Sequence, residues 1–338
     1  MTEKFQAFVV NETEQGEIHR EIRERKINDL PPGDVLIRVN YSSLNYKDAL
    51  SANGHKGITQ TYPHTPGIDG AGIVLESQVP EFREGDSVLV TGYDLGMNTS
   101  GGFGQMIRVP ATWVVPIPER LSECEAMILG TAGFTAALCI SSLQKHEVMP
   151  EDANVLVTGA SGGVGSLATG ILSHLGYKVT ALTGKLSAHA LLKKLGASEV
   201  ISREEFSSLK ERPLMKARWS GVVDTVGGTI LSKAVASTKL WGCITACGMV
   251  TSLELHSSIM PFILRGISLV GIASAETPMA LRLQLWSKLS QDWKFPMLKN
   301  WVREVNLEDI EPEIETILKG EQSGRVLVNL MPRTLGKA

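Results

Sequence analysis

A glycine-rich stretch in the middle of the chain constrains the fold most strongly. The segment Val155–Gly165 passes directly from a short apolar run into a turn that contains four glycines, and a helix-like stretch, Val164–Leu175, follows. A turn of this kind lets the backbone approach a diphosphate, whose charge is met by free N–H groups and the positive end of the helix. A side chain at Gly162 or Gly163 would block that approach. We therefore predict a dinucleotide-binding turn, since the flanking pattern argues against a turn that binds nothing.

The second strand-like run indicates which dinucleotide is preferred. Lys178–Leu182 is followed by Thr183, Gly184 and Lys185, at the place where an NAD site usually carries an acidic residue for the ribose hydroxyls. This segment has no carboxylate to repel a 2′-phosphate, and its lysine lies beside hydroxyl and amide donors that can bind one. Arg203 is a second candidate cation, with a solvated loop residue as the alternative. The sequence therefore predicts NADP(H).

Strand-like and helix-like segments alternate through the second half of the chain. Such alternation predicts a parallel sheet covered by helices on both faces. The strand-like runs are Asn154–Thr158, Lys178–Leu182, Glu199–Ser202, Gly221–Asp224, Gly242–Ala246 and Ser268–Ile272.

The first third of the chain differs, since it has short β-rich segments separated by glycine and proline. After about Phe295 the alternation stops, and the run Val326–Leu330 is typical of a final strand that returns to the first domain. The predicted fold class is α/β. It comprises a β-rich domain formed by residues 1–124 and 296–338 and a doubly wound domain formed by residues 125–295.

Composition and charge exclude several other classes of protein. The chain of 338 residues has a net charge of -3 and no long basic block, so no nucleic-acid partner is expected. It has no run of about eighteen apolar residues and no signal-peptide pattern, so neither a membrane span nor export is expected. Its four cysteines form no CxxC pair, which predicts a protein of the reducing cytoplasm.

Five sequence blocks, taken together, are specific for one family. They are Ser42–Leu50, Pro66–Asp69, Gly130–Ala136, Thr158–Gly165 and Met260–Arg265. In these blocks the chain resembles the zinc-independent quinone oxidoreductases of the medium-chain dehydrogenase/reductase superfamily, of the YhdH/YhfP type that includes NADPH-dependent acryloyl-CoA reductases. The resemblance spans nearly the whole chain. It implies that the β-rich domain is a GroES-like catalytic domain and that the doubly wound domain is a Rossmann domain.

The resemblance also implies which residues contact the cofactor. Gly320 departs from the family pattern, because the relatives carry a cofactor-contacting asparagine there, and that contact is not expected in this chain. The implied contacts are Tyr46, Ser161, Gly162, Gly163, Val164, Thr183, Gly184, Lys185, Arg203, Met249, Ile263 and Ser274.

The catalytic zinc of the related alcohol dehydrogenases is not expected here. Catalytic zinc needs three N, S or O ligands and an open position. Asn45, Ile68 and Thr131 stand where that larger family has Cys, His and Cys, and they are not credible donors as a set. The segment Tyr93–Gly104 has no cysteine, so the four-cysteine structural zinc lobe is missing too. We predict that no metal is bound.

The predicted chemistry follows from the missing zinc ligands. Reduction of a simple ketone lacks its Lewis acid, whereas hydride transfer to the β-carbon of an enone or enoyl thioester needs only hydrogen-bond donors for the enolate oxygen. We hypothesise that Asn45 and Tyr46 bind the nicotinamide end and orient the substrate, with Tyr46 or a water as the proton source. A packing role on the pocket wall is the alternative for Tyr46. The predicted function is NADPH-dependent reduction of a small electrophile such as acryloyl-CoA.

Two other functions stay open at this point. The first is a quinone or general alkenal/enone reductase, which uses the same hydride chemistry on another acceptor. The second is an NADPH-binding protein without catalytic activity that has a structural or nucleic-acid-binding role. For assembly, Ser268–Ser274 would form the last strand of the parallel sheet, and its unpaired edge predicts a homodimer.

Overall fold

Two separate main sheets organise the chain into two units in the computed structural model, which describes residues 4–151, 153–296 and 298–332. Unit 1 contains the described residues of Met1–Thr131, Ala275–Ser290 and Trp301–Ala338, and unit 2 contains those of Ala132–Ser274 and Gln291–Asn300. These boundaries differ from the predicted ones at 124/125 and 295/296. Residues 125–131 and 275–290 belong to unit 1, and residues 296–300 belong to unit 2.

The strands follow the apolar runs of the sequence. They are β1 (Lys4–Glu12), β2 (Ile18–Lys26), β3 (Val35–Ser43), β4 (Asp69–Ser77), β5 (Ser87–Thr91), β6 (Met106–Val109), β7 (Val115–Pro116), β8 (Asn154–Thr158), β9 (Lys178–Thr183), β10 (Glu199–Ser202), β11 (Trp219–Asp224), β12 (Thr238–Ala246), β13 (Ser268–Gly271), β14 (Val302–Asn306) and β15 (Arg325–Asn329).

The α-helices lie mostly in the second half of the chain. They are α1 (Tyr46–Ala52), α2 (Glu123–Lys145), α3 (Gly163–His174), α4 (His189–Lys194), α5 (Arg203–Ser208), α6 (Gly228–Ala236), α7 (Met260–Arg265), α8 (Met279–Ser290) and α9 (Ile310–Leu318).

Unit 2 is built on a parallel sheet. Its six strands lie in the order β10-β9-β8-β11-β12-β13, and all neighbours are parallel. Val155, Leu156 and Val157 of β8 are fully buried, as expected for a strand covered on both faces. The strand order is that of a doubly wound sheet, in which the chain changes direction between β8 and β11, and ligands bind beyond the carboxyl ends of the strands at that point. The predicted α/β fold with a doubly wound sheet is confirmed.

Unit 1 is built on a sheet that the C-terminal part of the chain completes. The strands lie in the order β14-β15-β3-β4-β5-β7, with β6 paired to β3 and with β1 and β2 in a separate hairpin. β15 pairs antiparallel with β3, so that Leu327 lies opposite Ser43. The final strand therefore returns to the first domain, as the sequence predicts. Arg325, the first residue of β15, is buried in this unit.

α2 is broken at Gly130, one residue before the boundary between the units. Gly130 has φ 49 and ψ -153, and a Cβ there would lie 2.5 Å from the Asp69 Oδ2 atom and 2.6 Å from the Ser43 Oγ atom. Only glycine tolerates both the conformation and the contact. The break explains why the first part of the helix, which was predicted in the Rossmann domain, belongs to unit 1.

α8 was also predicted in the doubly wound domain, and Arg282 explains its place in unit 1. The Arg282 side chain is fully buried, and its guanidinium donates to the Thr91 carbonyl at 2.9 Å and to the Ala275 carbonyl at 3.0 Å. The guanidinium also lies over the Tyr93 ring, 4.5 Å from its centroid. These contacts attach α8 to β5, which is a β-domain strand.

Within the described residues, α2 is the one helix long and apolar enough to pass for a membrane span. However, 78% of its apolar window is buried inside the protein, and the break at Gly130 interrupts it. The core helix of a globular protein has the same properties.

Candidate active site

The predicted dinucleotide turn lies at the carboxyl end of β8 in unit 2. β8 ends at Thr158, and α3 begins at Gly163 with Gly162 as its N-cap. The Gly162 N–H donates to the Gly159 carbonyl at 2.9 Å and closes the turn. Because the first N–H groups of a helix have no carbonyl partner inside it, the N-terminus of α3 offers donors to an anion.

Two glycines of the turn differ in what a side chain would meet. A Cβ on Gly165 would lie 2.4 Å from the Gly159 carbonyl oxygen and 2.7 Å from the Ala160 Cα atom, so the close packing of α3 on the turn requires glycine. A Cβ on Gly162 would meet only the Gly159 oxygen, at 3.3 Å. The protein therefore leaves space beside Gly162, and a diphosphate can approach the backbone there.

A hydrogen-bonded pair joins β8 to β11 at the point where the strand order changes direction. The Thr158 hydroxyl donates to Asp224 Oδ1 at 2.6 Å, and the Gly227 N–H donates to Asp224 Oδ2 at 2.8 Å. Burial raises the pKa of Asp224. This pair was not predicted from the sequence, although a Thr and an Asp that each end an apolar strand were a usable signal.

The residues predicted to recognise a 2′-phosphate lie together at the carboxyl end of β9. The Thr183 hydroxyl donates to the Ser161 Oγ atom at 2.9 Å and accepts the Lys185 N–H at 3.1 Å. A Cβ on Gly184 would lie 2.9 Å from the Arg203 Cζ atom, so the guanidinium covers this glycine. Arg203 is exposed and begins α5; it does not lie in a loop, as the alternative interpretation had it. A glycine cradle, two hydroxyls and two cations together fit a phosphorylated dinucleotide.

Three other predicted contacts lie on the β11–β13 side of unit 2. Met249 follows β12 and is 67% exposed, and its Cα atom would lie 3.4 Å from a Cβ on Gly227. Ile263 in α7 is 73% exposed, and Ser274 follows β13 as the last residue of its segment of unit 2. Exposed apolar side chains of this kind are often ligand or subunit contacts. The cofactor contacts of these residues stay predictions.

Asn45 and Tyr46 lie in unit 1, where Asn45 is the N-cap of α1 and Tyr46 is its first residue. Tyr46 is 42% exposed. The Asn45 amide nitrogen donates to Asp69 Oδ2 at 2.8 Å and to Asp48 Oδ2 at 3.2 Å, and its oxygen accepts from Arg325 Nη1 at 3.1 Å. These hydrogen bonds fix the orientation of the Asn45 amide, and its predicted contact with the nicotinamide end stays a prediction.

Asp69 and Arg325 form a buried charge pair that the sequence analysis did not find. Their side chains are 0% and 2% exposed, and Arg325 Nη2 lies 4.0 Å from Asp69 Oδ2. Burial lowers the pKa of the Arg325 guanidinium, and the charge of Asp69 opposes this effect. Removing one partner of such a pair typically costs about 3–5 kcal/mol of folding free energy. An arginine directly before the apolar run of β15 was the available signal.

The residues at the zinc-ligand positions do not fit a zinc ion. Thr131 donates both its hydroxyl, at 2.6 Å, and its N–H, at 3.0 Å, to Asp69 Oδ1. Ile68 is an apolar side chain that is 4% exposed, and the Asn45 amide is engaged as described above. Zinc needs lone pairs from thiolate, imidazole or carboxylate groups. In the described part of the chain, no group of three or more His, Cys, Asp or Glu residues is arranged to hold a metal.

Asp48 makes the stability of unit 1 dependent on pH. Burial and the neighbouring Asp69 raise the pKa of Asp48 to about 7 from 3.8. Between these pH values the folded protein holds a proton that the unfolded chain has lost.

We expect Asp48 to lower the free energy of unfolding as pH rises from about 4 to 7, by up to about 1.4 kcal/mol per pH unit. Urea unfolding of the parent and Asp48→Asn at pH 5, 6, 7 and 8 checks this. As pH rises, the free energy of unfolding of the parent should fall relative to that of Asp48→Asn. The control is Asp292→Asn, at an exposed position, and it should follow the parent. Parallel curves for the parent and Asp48→Asn would contradict the assignment.

Comparison with known families and relatives agrees with both units. Residues 31–119 match the alcohol dehydrogenase GroES-like domain, and residues 163–290 match the zinc-binding dehydrogenase family. The acrylyl-CoA reductase AcuI of Ruegeria pomeroyi is 40% identical over 96% of this chain and 99% of its own length. The putative quinone oxidoreductase YhfP of Bacillus subtilis is 42% identical over 98% of this chain and its whole length.

Solved structures of similar proteins have the same fold. The YhdH oxidoreductase of Salmonella enterica in complex with NADP is 41% identical and superposes with a TM-score of 0.93 over 96% of this chain and 100% of that one. The Bacillus subtilis YhfP structure with NAD bound is 42% identical and has a TM-score of 0.95 over 97% of this chain and 100% of that one. The chain therefore belongs to the medium-chain dehydrogenase/reductase superfamily, in the group that contains the acrylyl-CoA reductase AcuI and the YhdH and YhfP oxidoreductases.

Proposed function

We propose that the chain is a zinc-independent, NADPH-dependent reductase that acts on the activated double bond of a small enoyl substrate such as acryloyl-CoA. The observation that carries the proposal is the cofactor cradle of unit 2, in which the glycine turn lies beside Lys185 and Arg203 and β9 ends without a carboxylate. The similarity to AcuI supports the choice of an acryloyl thioester.

The roles of the residues follow from their chemistry. When bound, NADPH supplies a hydride for the β-carbon of the substrate. The glycine turn and the N-terminus of α3 hold the diphosphate, and Lys185 and Arg203 hold the 2′-phosphate. In unit 1, the exposed Tyr46 hydroxyl donates the proton to the α-carbon, directly or through a water. Hydrogen-bond donors suffice for the developing enolate oxygen, so the reaction needs no metal.

An acceptor panel tests the proposed function. NADPH oxidation is measured with acryloyl-CoA, a simple enone and a quinone, and each assay is repeated with NADH and after dialysis against a strong chelator. We expect the highest kcat/KM with acryloyl-CoA and NADPH, unchanged by the chelator. A quinone preference would favour the function that the name of YhfP suggests. Binding of NADPH without its oxidation by any acceptor would favour a non-catalytic binding protein.

Replacement of Tyr46 tests the assigned proton donor. We expect Tyr46→Phe to lower kcat for acryloyl-CoA by about 100-fold, as loss of a general acid commonly does, while the KM for NADPH stays within about threefold. Tyr62→Phe is the control, because the Tyr62 hydroxyl is buried and has no hydrogen-bond partner among the described residues. A Tyr46→Phe enzyme within a few-fold of the parent would show that Tyr46 is a packing residue of the pocket wall.

A homodimer is the proposed assembly, in keeping with a cytoplasmic enzyme. β13 lies at an edge of the parallel sheet, and an open edge of this kind invites pairing across a two-fold axis. Exposed apolar side chains lie on the neighbouring strand β12 and on α7, with Trp241 73% and Leu264 58% exposed. Light scattering at micromolar concentration should give twice the chain mass of 36.6 kDa. Leu264→Glu should shift the equilibrium to monomer and Leu186→Glu, at a 77% exposed position away from this edge, should not; a monomeric parent would contradict the dimer.

A further inference from the structure

The buried Asp69 carboxylate connects its own segment to two others of unit 1, residues 43–45 and the segment around Thr131. It accepts the Ser43 hydroxyl at 2.6 Å, the Asn45 amide at 2.8 Å and the Thr131 hydroxyl at 2.6 Å. Ser43 ends β3, Asn45 precedes α1, and Thr131 directly follows the break at Gly130. Together with the segment of Asp69, which contains Ile68, they are the segments that align with the zinc-ligand positions of the zinc-dependent members of the superfamily. One carboxylate therefore joins the parts of the chain that a metal would join.

Arg325, which lies in β15, also contacts residues 43–45 and α2. Its guanidinium donates to the Ser43 hydroxyl at 2.7 Å, the Asn45 amide oxygen at 3.1 Å and the Ile128 carbonyl at 3.0 Å. The N–H groups of the planar guanidinium point in fixed directions. Each acceptor atom must therefore lie in one particular place to receive its hydrogen bond. A Cβ on Gly130 would lie only 3.1 Å from the Arg325 Nη2 atom. The cluster is therefore closely packed.

We propose that the Asp69–Arg325 pair is the positioning centre of the active site. The pair fixes the Asn45 amide, and Asn45 as N-cap of α1 fixes the backbone from which Tyr46 projects. Asp69, Arg325 and Thr131 act through Asn45 and Tyr46, so they are positioning residues. The inference rests on the proposed reductase function, because turnover is its main readout.

Thr131→Val is the test variant. Valine keeps the volume of the side chain and removes the hydroxyl from Asp69, while the backbone N–H of residue 131 still donates. Small displacements of orienting groups lower turnover strongly, so we expect kcat for acryloyl-CoA to fall about tenfold to a hundredfold. The KM and the fluorescence-measured Kd for NADPH should stay within about twofold, because the cradle lies in unit 2. Thr131→Ser restores the hydroxyl and should return kcat to within about threefold of the parent.

Thr59→Val is the matched control for loss of a buried hydroxyl. The Thr59 Oγ1 atom lies 2.6 Å from the Ser51 Oγ atom in the same unit, and both side chains are buried. We expect a lower Tm with unchanged kcat. If Thr131→Val lowers Tm as Thr59→Val does and keeps the parental kcat, the cluster is only structural and the inference is overturned.

Arg325→Lys extends the test, since lysine keeps the charge but loses the fork of donors. We expect a larger loss of kcat than in Thr131→Val, with NADPH binding retained as evidence that unit 2 is folded. A parent enzyme that turns over no acceptor overturns the proposed function itself. An active parent with equally active Thr131→Val and Arg325→Lys variants overturns this inference alone.

Discussion

Gly162→Ala should weaken NADPH binding by about 100-fold while leaving the fold of unit 2 intact. A Cβ at Gly162 would meet only the Gly159 oxygen, at 3.3 Å, and a shift of that oxygen by a few tenths of an ångström accommodates it. In the complex, the same methyl group occupies the space through which a diphosphate reaches the first N–H groups of α3. A loss of about 2.7 kcal/mol in binding free energy corresponds to that factor. Fluorescence titration with NADPH gives the Kd, and thermal unfolding without cofactor should show a Tm within about 2 °C of the parent.

Gly165→Ala provides the contrast three residues further on, inside the first turn of α3. Its Cβ would lie 2.4 Å from the Gly159 oxygen, so this variant should lose both thermal stability and NADPH affinity. Gly271→Ala, where a Cβ would meet nothing within 4 Å, should bind NADPH like the parent. If Gly162→Ala binds NADPH with the parental Kd, the diphosphate does not lie against this turn, and the proposed cofactor site is wrong.

The double variant Lys185→Gln/Arg203→Gln should lose its preference for NADPH. Each cation is assigned a charge-assisted hydrogen bond to the 2′-phosphate, and such bonds contribute about 1.5–3 kcal/mol. The Kd for NADPH should therefore rise about 100-fold or more, whereas the Kd for NADH should change less than about threefold, because NADH has no 2′-phosphate. The affinity for NADPH should also become less dependent on salt concentration.

The matched control for charge removal is Lys178→Gln/Arg212→Gln. Both residues are exposed cations of unit 2, and Lys178 lies at the opposite end of β9 from Lys185. This control removes the same net charge and should leave the ratio of the two dissociation constants unchanged. An equal rise for NADPH and NADH in the test variant would mean that Lys185 and Arg203 support the fold and do not read the phosphate.

The sequence was sufficient to predict the parallel sheet, because its strands are continuous apolar runs that stand out from their flanking turns. β8 and β10 begin and end where predicted. β2 (Ile18–Lys26) was missed, since its alternating polar side chains are at most half-buried and it pairs only with β1. The first boundary between the structural units lies after Thr131 and not after residue 124, because the break at Gly130 lies inside an otherwise continuous helical pattern.

The candidate site was predictable only where local sequence carries the chemistry. The glycine turn and the Thr183–Lys185 segment are contiguous, so their pattern was readable. The Asp69–Arg325 pair joins residues that are 256 positions apart, and its partners become neighbours only through the pairing of β15 with β3. The arginine before the apolar run of β15 marks one candidate partner, but the local sequence does not indicate which residue it contacts 256 positions away.

The return of β15 to the first domain has a consequence for the order of folding during synthesis. Arg325 donates to Ser43 across 282 residues, so the unit 1 cluster cannot assemble until Arg325 has left the ribosome. All six strands of unit 2 precede it, between Asn154 and Gly271, and domains generally fold as units while the chain is still growing. The cofactor-binding half therefore matures first, and a nascent chain arrested before Arg325 should bind NADPH and reduce nothing.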